Sequence, residues 1–102
     1  MRVLVLFDLP SVTKKEKKSY VIFRRKLIDD GFIMMQFSIY SRFCRNQQDA
    51  GKHIDRVLQM APKDGNVRIL SITEKQFEEM ILVIGDLNET EKAVDKDFMV
   101  II

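Results

Sequence analysis

The sequence predicts an α+β fold, a βαββαβ core with one strand added at the carboxyl end. Three observations carry this reading. Apolar strand-like runs are separated by two amphipathic helical stretches, and a glycine or a proline–glycine turn follows each helix. A last apolar segment, Phe98 to Ile102, is set off by the charged stretch before it. With 102 residues the chain makes one domain with a modest core and little spare stability, which favours an oligomer. Residues 1–85 are expected to form the domain, and 86–102 a linker and a strand that pairs with a dimer partner.

Val3 to Phe7 is an apolar strand that brings Asp8 to its carboxyl end and is stopped by Pro10. Alternation puts Val3, Val5 and Phe7 on one face and Leu4, Leu6 and Asp8 on the other. From these residues alone Asp8 either opens a turn or serves chemistry at a strand end. Thr13-Lys14-Lys15-Glu16 has the spacing of a capping box, so a helix starts here. Its apolar face is expected to hold Tyr20, Phe23, Leu27 and Ile28, with Gly31 as the left-handed stop.

Phe32 to Phe43 is long for one strand, so a split into two is expected. One parity carries Phe37, Ile39, Ser41 and Phe43, the other Gln36, Ser38, Tyr40 and Arg42. After a polar stretch, Ile54, Val57, Leu58 and Ala61 trace a second amphipathic helix that Pro62 to Gly65 ends. Val67 to Ile72 reads as the next strand, Thr73 with Gln76 as the cap of a short helical turn, and Met80 to Ile84 as a compact buried strand. Leaving the five-residue tail in water would cost roughly 2 kcal/mol per large side chain, so it should pair with a sheet edge, in this chain or in another. The order of elements matches the ferredoxin-like arrangement, with both helices on one face of an antiparallel sheet. That fold hosts many unrelated functions.

A hydrophobic fraction of 46% with 31% charged residues describes a soluble globular protein. One cysteine, Cys44, excludes an intramolecular disulfide and a thiolate zinc cluster, and one histidine, His53, removes His-based metal sites within one chain. His53 is expected to pack or cap on the second helix. Neither a secretory signal pattern nor a membrane-length apolar run is present, which points to the cytoplasm and to no membrane partner. A net charge of +2 says little about nucleic acid, so distribution decides.

Positive charge concentrates in the first helix, where Lys14, Lys18 and Arg25 share one side and Arg24 lies beside them. This surface suits a phosphate backbone, or is an ordinary solvated helix face. Arg42 and Arg45, interleaved with Tyr40 and Phe43, make a second basic and aromatic stretch. No glycine-rich phosphate loop and no nucleophile–histidine–acid set can be assembled. Cys44 beside Arg42 and Arg45 is either a thiol of lowered pKa or a small apolar residue. Metal-assisted phosphodiester chemistry is the most coherent option: Mg²⁺ prefers oxygen ligands and keeps several waters, so one carboxylate from each of two subunits could hold an ion on a two-fold axis.

Phe7-Asp8-Leu9-Pro10, the helix end from Arg24 to Phe32, and Gln36-Phe37-Ser38-Ile39-Tyr40 together resemble the small CRISPR-associated adaptation proteins of the Cas-two endoribonuclease family. The resemblance covers nearly the whole chain. With Thr73-Glu74-Lys75-Gln76-Phe77 it is nearest to the form of type II loci. It implies a ferredoxin-like homodimer in which the carboxyl-terminal strand pairs with the partner's sheet and the two Asp8 carboxylates face each other. It also implies Mg²⁺-dependent nuclease activity on RNA or duplex DNA and a complex with the adaptation integrase that inserts new spacers.

Asp8 matches the family's metal and catalytic position. Ser38 and Tyr40 fall in the adjoining strand region as supporting residues, with Arg42 close by. Lys14, Lys18, Arg24, Arg25 and Arg42 are the candidate nucleic-acid contacts. With one acid per chain, a two-metal site is under-supplied. The alternative is a catalytically silent DNA-binding scaffold bridging integrase dimers. A regulatory or small-ligand domain is the third reading.

Overall fold

The structure is a computed structural model that describes residues 1–85 and the backbone of 99–100. Its elements are β1 (Arg2–Asp8), α1 (Lys14–Asp29), β2 (Ile33–Gln36), β3 (Ile39–Phe43), α2 (Gln47–Met60), β4 (Asn66–Ile72), α3 (Glu74–Glu78), β5 (Ile81–Leu82) and β6 (Met99–Val100). Strand order in the main sheet is β2-β3-β1-β4, and every neighbouring pair is antiparallel. This is the ferredoxin-like arrangement read from the element order.

β1 is central because its residues tolerate cover on both faces. Val3, Val5 and Phe7 are buried against the helices together with Phe23, Leu27, Phe32, Tyr40, Ala50 and Val57. Each large side chain in such a core contributes about 1.5–3 kcal/mol. Phe7 anchors the carboxyl end of β1: its ring centroid lies 5.1 Å from Phe23, 5.7 Å from Tyr40 and 5.8 Å from Tyr20. The strand therefore delivers Asp8 from a fixed base.

Both faces of the capping box at Thr13 and Glu16 are made, and the same motif forms at Thr73 and Gln76. α1 ends in a Schellman motif, with the Phe32 N–H donating to the Leu27 carbonyl and the Gly31 N–H to that of Ile28. Gly31 takes φ +92° there. Asn46 caps α2 through a bond from the Asp49 N–H.

Phe32 to Phe43 is split, as expected, by a two-residue turn at Phe37 and Ser38, where Ser38 holds φ +65°. The Phe7 N–H donates to the Ser38 carbonyl and ties this turn to β1.

Three expectations of burial are corrected. Ile28 is exposed because Phe23 and Leu27 set the inward face of α1, and Ile28 lies a further 100° round from Leu27. Leu58 is exposed on α2, whose inward face is Ala50, His53 and Val57. Met80 to Ile84 forms only a two-residue strand: Ile81 and Val83 are half-exposed and Ile84 is open to solvent. β5 stands outside the main sheet and pairs in parallel with β6, Ile81 opposite Met99, so no second layer closes over it. The expected linker, 86–97, and the ends of the expected tail strand lie outside the described residues. No helix among the described residues is long and apolar enough to cross a membrane.

Candidate functional site

The sheet has one face under the helices and one open face, and β1 divides its residues between them. Arg2, Leu4, Leu6 and Asp8 fall on the open side. Facing them across the ladders stand Phe43, Ser41 and Ile39 of β3, and Ile72, Leu70, Arg68 and Asn66 of β4. The two ends of this face are treated differently.

At the Arg2 end, α3 covers it. The Arg2 guanidinium lies 4.4 Å from the Phe77 ring centroid and 5.5 Å from that of Phe43, and its Nε donates to Glu74 Oε1 at 2.5 Å. Arg2 is only 4% exposed, so the cation is held between aromatic faces with its charge met by one carboxylate.

At the Asp8 end the face stays open. Asp8 is exposed, and an open cavity of about 310 Å³ lies against it, walled by Leu6, Phe37, Ser38, Asn66 and Arg68 among others. No hydrogen bond or ion pair engages the Asp8 carboxylate among the described residues. The backbone beneath it is fixed from two sides. Ser38 accepts the Phe7 N–H, and Gly65, at φ +101°, comes so close that a Cβ there would sit 2.7 Å from the Asp8 carbonyl oxygen. Ser38 adopts a left-handed backbone that is uncommon outside glycine and costs about 1 kcal/mol or more. The positive φ falls on the second central residue of the turn, as a type II turn requires.

A larger cavity, about 400 Å³, opens between Pro10, Ser19, Tyr20 and the Pro62–Asp64 loop. Glu16, its carboxylate nearest the helix start, is committed to the α1 cap. The backbone N–H of Thr13 and then that of Val12 hold this carboxyl below its usual value, although desolvation opposes them. No unpaired acid of the Asp8 kind is held against a cation across it.

The other expected site residues separate. Ser38 shares the cavity with Asp8. Tyr40 pairs with Val5 and is buried on the helix side of the sheet, where its Oη accepts from Arg24 Nε at 2.8 Å. Arg42 donates through Nε to the Asp30 carbonyl and through Nη1 to that of Phe43, both at 2.7 Å, which closes the end of α1. Lys14, Lys18 and Arg25 are exposed on the side of α1 turned away from Phe23 and Leu27. That stripe and Asp8 therefore lie on opposite sides of the sheet. Phe43 packs under Arg2, so the second basic and aromatic stretch is not one continuous exposed patch.

Cys44 is buried, and burial followed by the nearby Asp49 charge raises its thiol pKa, which makes it the small apolar residue of the two readings. His53 is also buried. Its Nδ1–H donates to Asp30 Oδ2 at 2.7 Å, and Arg56 Nη1 donates to Oδ1 of the same carboxylate at 2.6 Å.

The pattern of the family described as CRISPR associated protein Cas2 matches residues 1–80. The chain belongs to the Cas2 family. It is 48% identical over 85 residues to the "CRISPR-associated endoribonuclease Cas2" of Acidovorax ebreus, covering 83% of each chain. To the protein of the same name from Flavobacterium psychrophilum it is 48% identical over 83 residues, 81% of this chain and 72% of the relative. To that of Lacticaseibacillus rhamnosus it is 36% identical over 101 residues, 98% of this chain and the whole of the relative. The Cas2 match spans the whole main sheet, both long helices and α3, and so includes the open face and its Asp8 end.

Within this Cas2 chain, two residues at the Asp8 end were not singled out by sequence. Asn66 stands directly across the ladder from Asp8, and Arg68 across from Leu6, one step along the same face. Their alternation with Val67 and Ile69 gives their parity, but only the β1–β4 register brings them to Asp8. Among the described residues, no three His, Cys, Asp or Glu side chains converge as a metal centre. The donors at the Asp8 end are oxygen atoms: the carboxylate of Asp8, the Ser38 hydroxyl and the Asn66 amide carbonyl. Such a set fits a hard, water-rich ion held by one carboxylate per chain, and does not fit a thiolate or imidazole metal.

Proposed function

We propose that this protein is a CRISPR adaptation subunit that works as a homodimer with the adaptation integrase, binds duplex DNA, and cleaves phosphodiester bonds of RNA or DNA at Asp8 with Mg²⁺. The observation that carries the catalytic part is the unpaired Asp8 carboxylate, presented at the end of the central strand on the open face. The printed names of the relatives, endoribonucleases all, support the reaction class.

Asp8 would hold Mg²⁺, with a second Asp8 supplied by the partner subunit. When bound, the ion supplies charge neutralisation at the phosphate and a water of lowered pKa. The residues of the chain do the positioning. Phe7 and Gly65 fix the backbone that carries Asp8, and the Ser38 hydroxyl offers a hydrogen bond beside it. The exposed apolar residues Leu70, Ile81 and Val83 on and beside the open face support a second subunit packing there.

Cleavage of a labelled RNA and a labelled duplex DNA by purified protein, with Mg²⁺ and with EDTA, tests the reaction. Asp8→Asn should abolish Mg²⁺-dependent cleavage and leave the melting temperature unchanged. Cleavage that persists in Asp8→Asn would place the chemistry elsewhere.

One observation favours the second reading, a scaffold that binds DNA without cutting it: the basic stripe of α1 is on the far side of the sheet from Asp8. If wild-type protein free of contaminating nuclease cuts neither substrate, while spacer integration by the complex proceeds, the scaffold is the function.

A further inference from the structure

Asp8 and Arg68 are opposite charges on one sheet face, and neither is paired. The β1–β4 register sets Arg68 opposite Leu6, which makes it the diagonal neighbour of Asp8. Diagonal neighbours on an antiparallel ladder lie about 7–8 Å apart, too far for an ion pair without one side chain leaning over. Arg68 is exposed, and no hydrogen bond or ion pair holds its guanidinium among the described residues. Both side chains line the same open cavity, with Asn66 directly across from Asp8.

A carboxylate and a guanidinium held apart across a gap are complementary to a ligand that is cationic at one end and anionic at the other. A cation-bound phosphodiester has that polarity. The guanidinium presents parallel N–H donors that match two phosphate oxygens, whereas a carboxylate repels them. With the acid alone, the open face would repel a nucleic-acid strand. Arg68 supplies the opposing charge within one residue step.

We propose that Arg68 is a phosphate-binding residue of the Asp8 site, and that Asn66 offers its amide N–H groups to the same strand. The ligand is a phosphodiester strand crossing β1 and β4 on the open face, a contact separate from the basic stripe of α1. This rests on Asp8 being the site of action, yet it is read by binding as well as by cleavage.

The test uses the full chain with Arg68→Gln and Arg68→Lys. Probes are a single-stranded RNA 20-mer and the DNA 20-mer of the same sequence, titrated in EDTA over a range of salt. Arg68→Gln should weaken binding about tenfold, as loss of a charge-assisted bond does, and lower the salt slope by about one. Arg68→Lys should recover the slope and part of the affinity, because it restores the charge but not the fork. Loss on both probes identifies the phosphodiester as the ligand, and loss confined to RNA identifies an RNA strand. With Mg²⁺, Arg68→Gln should raise KM for cleavage while the Mg²⁺ concentration giving half-maximal rate stays fixed.

Unchanged affinity and slope in Arg68→Gln would overturn the proposal. So would weakened binding accompanied by a changed association state or a fall in melting temperature, since Arg68 would then be an interface or fold residue. Should the wild type fail to cleave at all while Arg68→Gln still weakens binding, the phosphate site stands and the nuclease reading falls.

Discussion

His53, on α2, donates through Nδ1–H to Asp30 Oδ2 at 2.7 Å, and so ties the second helix to the residue that caps the first. The ring is buried, and its other nitrogen lies 3.5 Å from Asp49 Oδ1 without a hydrogen bond. Removing the ring leaves a cavity and takes one of two side-chain donors from Asp30. His53→Ala should lower unfolding stability by about 2–4 kcal/mol. His53→Gln, which keeps a donor, should lose less. Urea denaturation of both variants measures this, and equal losses would mean that packing alone ties the helices.

Acid should loosen the same junction. Burial tends to raise the Asp30 pKa, but hydrogen bonds from His53 and Arg56 outweigh it and hold the carboxyl below its ordinary value of 3.8. A carboxyl depressed in the folded state adds stability above its unfolded pKa, and that stability is lost as pH falls through the folded value. Stability should therefore drop below about pH 4, where unfolded aspartates take up protons. In Asp30→Asn the drop should be shallower, although the variant is less stable at neutral pH. Denaturation at pH 3, 4, 5 and 7 would show it, and parallel curves for the two proteins would contradict it.

Glu74 is the only printed counter-charge of a cation that is almost fully buried. Glu74→Gln keeps a hydrogen bond to Arg2 but removes the charge. A loss of about 1–3 kcal/mol is expected. Because the pair fastens α3 to the sheet, amide exchange in Glu74 to Glu78 should speed up more than exchange in β1. Uniform acceleration would show that α3 is not a separate unit.

Gly65→Ala tests the support beneath Asp8. The new Cβ would meet the Asp8 carbonyl oxygen at 2.7 Å, in a backbone region that L residues rarely adopt. Strain of about 1–3 kcal/mol is expected, with amide shifts at Asp8 and Leu9 exceeding those at Val3 and Leu4. Equal shifts along β1 would mean that Gly65 does not set the end of the strand.

Replacing Lys14, Lys18 and Arg25 by Gln should weaken duplex binding and reduce its salt slope by about 2–3. Cleavage at Asp8, if followed with a short single strand, should change far less. A slope equal to the wild type would return the stripe to plain solvated surface.

Much of the fold was legible from local signals. Thr13 and Glu16 announced α1, Gly31 its end, and the length of Phe32 to Phe43 its division. Asp8 stood out because a charge follows an apolar strand. The neighbours of Asp8 were not legible, since Asn66 and Arg68 reach it through strand register, which has no local signature. Tyr40 and Arg42 sit near Ser38 in sequence, yet alternation turns them to the helix side. The His53–Asp30 contact joins residues 23 apart on different helices and depends on how those helices pack. Met80 to Ile84 reads as buried because it is apolar, but the single chain offers it no second layer.

The placement of the α1 stripe and Asp8 on opposite sides of the sheet means that a stiff double helix lying along Lys14, Lys18 and Arg25 passes the acid by, with the full thickness of the protein between them. Gripping and cutting are thereby assigned to different strands, or to one strand limp enough to wrap the edge. Evolution can discard either task without disturbing the other.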